Sequence, residues 1–87
     1  MQSKNYNTIG FIRASQYRGE ILKILSEDMK LPSEIAYDLK IRVSTVSNTL
    51  NDLKKYELIR CLNENAKKGR LYEITPYGED ILNYIDI

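Results

Sequence analysis

Between residues 42 and 70 the chain gathers two groups of side chains with one chemistry in common. Ser44, Thr45, Ser47, Asn48, Thr49 and Asn51 crowd into eight positions. Their short hydroxyls and amides can hydrogen-bond base edges and phosphate oxygens. A merely solvated helix would more often carry Glu and Lys there, the stronger helix formers, so the choice runs against local propensity. Further on, Lys67, Lys68 and Arg70 flank Gly69. Like charges so close repel one another, and an anionic partner such as DNA phosphate would offset the repulsion.

Other chemistries are poorly supplied. The chain has no histidine and a single cysteine, Cys61. An intramolecular disulfide and a Cys/His zinc site are thereby excluded, as is acid-base work by histidine. The carboxylates are scattered over helical, mostly solvent-facing positions, so no enzyme, no metal and no cofactor is expected. Cys61 reads as a small, half-buried core residue. The net charge of +1 hides an asymmetry: residues 42–70 hold seven bases against three acids, and residues 71–87 hold four acids and no base. A basic middle and an acidic tail suit a nucleic-acid face on one side of the domain.

With 87 residues, 43% hydrophobic and 29% charged, the chain suits one small globular domain. No apolar run approaches the roughly 20 residues of a membrane span, and the polar Met1 to Thr8 stretch has no signal-peptide core. The expected location is the cytoplasm, with no membrane partner.

The elements that must position these groups follow from spacing. Residues 1–10 read as an N-terminal extension, polar and loosely packed to Thr8, after which Ile9, Phe11 and Ile12 must pack on something. Ser15 is a candidate N-cap for a helix whose buried stripe is Tyr17, Ile21, Leu22, Ile24 and Leu25, ending near Glu27 or Asp28. Pro32 opens a second helix that buries Ile35, Ala36 and Leu39. Lys40-Ile41-Arg42 makes a break, with Ile41 inward. A third helix then spans about Val43 to Tyr56, burying Val46, Leu50 and Leu53 and turning Ser44, Asn48, Asn51 and Lys55 outward. Leu58 to Leu62 and Leu71 to Ile74 read as two strands around an Asn63 to Arg70 loop, in which Gly69 can take positive φ. Thr75 caps a last helix, 76–87, with Pro76 in its first turn. Its wide stripe of Ile81, Leu82 and Ile85 either docks on the domain's own first helix or pairs with a second subunit.

These parts resemble the single-domain winged helix-turn-helix transcriptional regulators of prokaryotes, closest to small archaeal-type proteins related to the MarR and ArsR groups. The resemblance runs from about Phe11 to Ile85. It rests on Tyr17-Arg18, on Pro32 to Ala36, on Val46 to Leu50, and on Leu53 with Leu58-Ile59. Its most specific stretch is Cys61-Leu62-Asn63 through Lys67-Lys68-Gly69-Arg70-Leu71-Tyr72, followed by Thr75 and Gly78.

The resemblance implies an α+β, mostly helical fold, with a three-helix core, a two-stranded β-hairpin wing and a C-terminal helix. It implies a sequence-specific regulator that binds double-stranded DNA as a homodimer. Ser44, Thr45, Ser47, Asn48 and Asn51 would face the major groove, joined by Arg42 and Lys55, while Lys67, Lys68 and Arg70 would sit by the backbone or minor groove. Ile81, Leu82 and Ile85 would serve dimerisation. Two positions depart from the family: Lys40 stands where Gly is common, and Arg42 where a Ser or Thr cap is common. The mid-face also lacks an Arg or Lys to read guanine. The competing expectation is a winged helix that contacts protein within a transcription or assembly complex, which needs no continuous cationic strip. RNA binding is a weaker third, with only Tyr56 and Tyr72 near the face as stacking groups.

Overall fold

The computed structural model describes residues 3–85, in the order α1 (Ser3–Arg13), α2 (Gln16–Glu27), α3 (Pro32–Leu39), α4 (Val43–Lys55), β1 (Ile59–Cys61), β2 (Tyr72–Ile74) and α5 (Pro76–Ile85). Helices α2, α3 and α4 form the expected three-helix core, the two strands form the wing, and α5 follows. The first two residues of the expected N-terminal extension and the last two of the expected 76–87 helix lie outside the described residues.

The core forms because each helix has one apolar stripe to hide. Ile21, Leu22 and Leu25 of α2 meet Ile35 of α3 and Val46, Leu50 and Leu53 of α4, with Leu58 and Ile59 closing the wing side. Ile41 packs against this cluster from the α3–α4 break, as its position suggested. The strands pair antiparallel, with Ile59 opposite Ile74, Arg60 opposite Glu73 and Cys61 opposite Tyr72. Each strand is shorter than expected. On its other edge, Tyr72 exchanges two 3.0 Å backbone hydrogen bonds with Lys30, which ties the wing to the chain just before α3. No local pattern marks Lys30 for this pairing.

One expectation is corrected at the N-terminus. The segment read as a loose extension is helix α1, which packs on α2 and α5. Ile12 and Thr8 are both 3% exposed, one turn apart on the same face. Thr8 tolerates burial because its hydroxyl shares a 2.9 Å hydrogen bond with the Tyr77 hydroxyl of α5, which in turn donates to Asn5. That partner is too distant in sequence to be anticipated. Phe11 stacks on Tyr56 with ring centroids 3.8 Å apart. Arg18 lies over the Phe11 ring, donates to the Phe11 carbonyl at 2.7 Å and reaches Asp52 at 3.5 Å, so α1, α2 and α4 share one fastener.

The caps are mixed. Ser15 is the N-cap of α2 by backbone conformation, but its hydroxyl makes no cap hydrogen bond. At α3, Glu34 accepts from the Leu31 N–H at 2.8 Å, and Leu31 has no side-chain acceptor to reciprocate. Thr75 is the full cap: its Oγ1 accepts from the Gly78 N–H at 3.0 Å and donates to the Glu57 carbonyl at 2.8 Å.

Gly78 marks the tightest contact. A Cβ there would lie 2.2 Å from the Leu58 carbonyl oxygen, whereas one on Gly10 of α1 would meet nothing. Gly78→Ala is therefore expected to destabilise by about 1–3 kcal/mol or more through overpacking against backbone. Gly10→Ala should stabilise by about 0.5–1 kcal/mol through helix propensity. Urea denaturation of both variants checks the pair, and a harmless Gly78→Ala would contradict the seating of α5 on Leu58, just before β1.

Candidate nucleic-acid interface

Helix α4 owes its orientation to Val46, Leu50 and Leu53, none with any exposed surface. With that stripe inward, Ser44, Asn48, Asn51 and Lys55 are exposed, and Thr45 and Ser47 are partly so. Thr49, from the same polar run, is buried; its hydroxyl donates to the Thr45 carbonyl at 2.9 Å and so needs no outside partner. Arg42 is the exposed N-cap residue of α4 and makes no side-chain cap bond.

The turns on either side of α4 fix where it starts and stops. Lys40 does take the left-handed conformation, at φ 57°, and the Ile41 N–H then closes on the Ala36 carbonyl at 3.1 Å. At the other end Glu57 is left-handed too, at φ 62°, a feature with no sequence signal here because the residue is not Gly or Asn.

The wing loop is organised by one side chain. Asn63 donates from Nδ2 to the Gly69 carbonyl at 3.0 Å, and its Oδ1 accepts from the Leu71 N–H at 2.7 Å. The half-buried Cys61 thiol also points to Oδ1, at 3.6 Å. Gly69 takes φ +67°, as the loop reading anticipated. Sequence reasoning missed Asn63, although an Asn at the start of such a loop is a recognisable signal.

Ser47 and Asn51 of α4 and Lys67, Lys68 and Arg70 of the wing line one open groove of about 380 Å³, together with Val43, Pro32 and Ser33. Arg42, Ser44, Thr45, Asn48 and Lys55 lie outside its lining. Lys55 instead borders recesses at the C-terminal end of α4, beside Asn51 and Lys54 and beside Tyr56. Arg70 has a structural task that its charge alone did not suggest: its Nε donates to the Ala66 carbonyl at 2.8 Å, folding the side chain over the loop. Lys67 and Lys68 are exposed and have no ion-pair partner among the described residues.

Pairing elsewhere sharpens the charge pattern. Asp52 is turned to Arg18, Glu73 pairs with Arg60 at 2.5 Å across the strands, and Glu64 of the wing pairs with Lys54 of α4. Lys54, part of the basic band in the sequence, is therefore tied down. The hydrogen bond between them raises the Lys54 pKa and lowers that of Glu64. Such a groove suits a chain of anionic groups running between a polar helix and a cationic loop.

The predicted dimerisation residues need correction. Helix α5 packs on α2, the docking that the stripe allowed as its other reading. Ile81 and Leu82 belong to the chain's own core, 2% and 9% exposed, so little of either is left for a second copy. Ile85 is half-buried against the same cluster. The large apolar side chain that α5 leaves in solvent is Tyr84, 59% exposed.

Comparison with known proteins places this geometry. A family model described as winged helix-turn-helix matches residues 17–86. No curated protein matches the sequence. Wild-type ZitR from Lactococcus lactis in complex with DNA is 27% identical, with a TM-score of 0.69 over 76% of this chain and 46% of its own. A double mutant of the same protein is 25% identical, with a TM-score of 0.74 over 83% of this chain and 50% of its own. The adhesin competence repressor AdcR from Streptococcus pyogenes shares the fold at 20% identity, with a TM-score of 0.70 over 91% of this chain and 63% of its own. The chain thus spans about half the length of the ZitR chains it matches.

Two measurements check the wing. Asn63→Ala should cost about 1–2 kcal/mol by leaving the loop groups unpaired, and should speed hydrogen exchange at the Leu71 amide. Asn63→Asp, which keeps the acceptor, should restore that protection; equal exchange in all three proteins would rule out the hub. The Lys54–Glu64 tie has its own pH window. Because the Glu64 pKa is lowered, the tie is complete above the ordinary value of 4.5 and is lost as pH falls through the folded value. Because the Lys54 pKa is raised, it also holds below 10.5 and is lost as pH rises through that folded value. In an NMR titration, Lys54→Met should move the Glu64 midpoint upward; an unmoved midpoint would refute the pairing.

Proposed function

This chain belongs to the winged helix-turn-helix family, and we propose that it is a sequence-specific, double-stranded DNA-binding transcriptional regulator. The observation that carries this function is the shared groove: the polar side of α4 and the cationic wing tip line one open channel. A DNA complex of the similar ZitR supports duplex DNA as the partner.

In this mechanism α4 enters the major groove. Ser44, Ser47, Asn48 and Asn51 hydrogen-bond base edges, with Thr45 at the margin. Lys67 and Lys68 neutralise phosphates or enter the minor groove beside the wing, while Arg70 acts from a fixed perch over Ala66. Arg42, with no cap to make, reaches phosphate at the start of α4, and Lys55 does so at its far end. The chemistry is binding, not catalysis, and the place is the cytoplasm. No helix among the described residues is long and apolar enough to cross a membrane.

The reading includes a homodimer. A single short face with no Arg or Lys at its centre supplies little discrimination, and a two-fold pair doubles it across half-sites about one helical turn apart. With Ile81 and Leu82 engaged in the core, the contact falls to the exposed Tyr84 of α5 and Tyr6 of α1. A module made only for protein contact would have no need of the cationic lining, which favours DNA.

Binding to mixed duplex should weaken steeply with salt. Neutralising Lys67 and Lys68 should weaken it for every sequence alike and flatten the log–log salt slope by about 0.9 per lost phosphate contact. Asn48→Ala should instead change the preferred site, at about 1–3 kcal/mol for the base pair concerned. A fluorescence salt titration showing no duplex binding even at low ionic strength would defeat the proposal.

A further inference from the structure

Val43 is the large apolar side chain of α4 that folding leaves in water: it is 48% exposed, while Val46, Leu50 and Leu53 are fully buried. It occupies the first position of the helix, between exposed Arg42 and Ser44. It lines the groove with Ser47 and Asn51, one and two turns further along the same flank. Folding uses only about half of this side chain, in a groove it shares with Leu31 and Pro32. A β-branched residue is a weak helix former, the first turn of a helix favours acidic side chains, and a half-exposed valine forgoes part of its burial energy.

A duplex supplies a reason. Recognition helices of this class meet base edges with their N-terminal residues. The other α4 side chains in this groove are Ser47 and Asn51, short enough to bring the helix backbone close to the groove floor. The apolar group that B-DNA displays on that floor is the thymine 5-methyl. We propose that Val43 is a specificity-determining residue that packs against a thymine methyl in the bound site. The assignment rests on the DNA-binding function above and adds a base preference to it. It also gives the face a discriminating contact that its hydroxyls and amides do not make.

The test begins with random duplexes selected on the full chain. Each thymine of the recovered site is then replaced in turn by deoxyuridine, which removes the 5-methyl and leaves base pairing intact. At least one such replacement is expected to weaken wild-type binding about three- to fivefold, the size of one exposed methyl group. Val43→Ser and Val43→Ala should bind the thymine and uracil duplexes equally at that position, with unchanged thermal melting. If no position is sensitive in the wild type, or if both variants keep the sensitivity, the Val43 assignment is overturned while DNA binding stands. If no duplex is bound at all, both are overturned.

Discussion

The burial of Val46, Leu50 and Leu53 is the constraint on which the surface of this protein depends. Each side chain is wholly enclosed between α2, α3 and the start of β1. Full burial of such residues is worth about 1.5–3 kcal/mol apiece, a large share of the stability of any small domain. Helix α4 therefore cannot roll, because a turn of one residue would bring the stripe into water and polar groups into the core. The outward polar face follows as a consequence. Thr49 shows the limit of that face: it shares the composition but lies on the packed flank, and the Thr45 carbonyl within the helix satisfies its hydroxyl.

Axial position is fixed by a different device. Left-handed residues bracket α4, Lys40 before it and Glu57 after it, and neither is glycine. Each costs about 1–2 kcal/mol in backbone strain, so the surroundings must over-determine it. At Lys40 the Ile41 N–H is captured by Ala36. At Glu57 the N–H bonds to the Lys54 carbonyl at 2.9 Å, and the carbonyl is held by the Thr75 hydroxyl that also caps α5. The close seat of Gly78 on Leu58 then locks α5 to the same corner. Helix, turn, strand and terminal helix thus meet at one junction, and the wing projects from it at a defined angle to α4.

Electrostatics completes the division. Two acids of the basic segment are drawn away from Lys67 and Lys68: Asp52 pairs with Arg18 of α2, and Glu64 pairs with Lys54 of α4. Exposed pairs of this kind add little stability, but they decide which charges remain open. Lys67 and Lys68 keep theirs, together in the groove beside α4. The modest surplus in the sequence becomes a local field because the compensating charges are placed elsewhere.

Much of this was legible in the chain. Periodicity located α2 to α5 and the two strands, since burial of an apolar stripe leaves a repeat in the sequence whatever its partner. Pro32, Gly69 and Thr75 announced their turns and caps through their own backbone chemistry. The polar run and the basic tip were visible as violations of local preference. Helix α1, the Lys30–Tyr72 pairing, the assignment of Ile81 and Leu82 to the core, the turn at Glu57 and the anchoring of Arg70 were not. All but the last depend on contacts between segments far apart in sequence, or on strain that no residue type advertises; Arg70 bends back to a carbonyl four residues away, a choice that its loop's conformation makes. The sequence by itself determined which residues must be hidden and which could meet an anion. Only the tertiary structure decided that Val43, Ser47 and Asn51 share a groove with Lys67 to Arg70, because that depends on the angle between a helix and a hairpin joined through a strained turn.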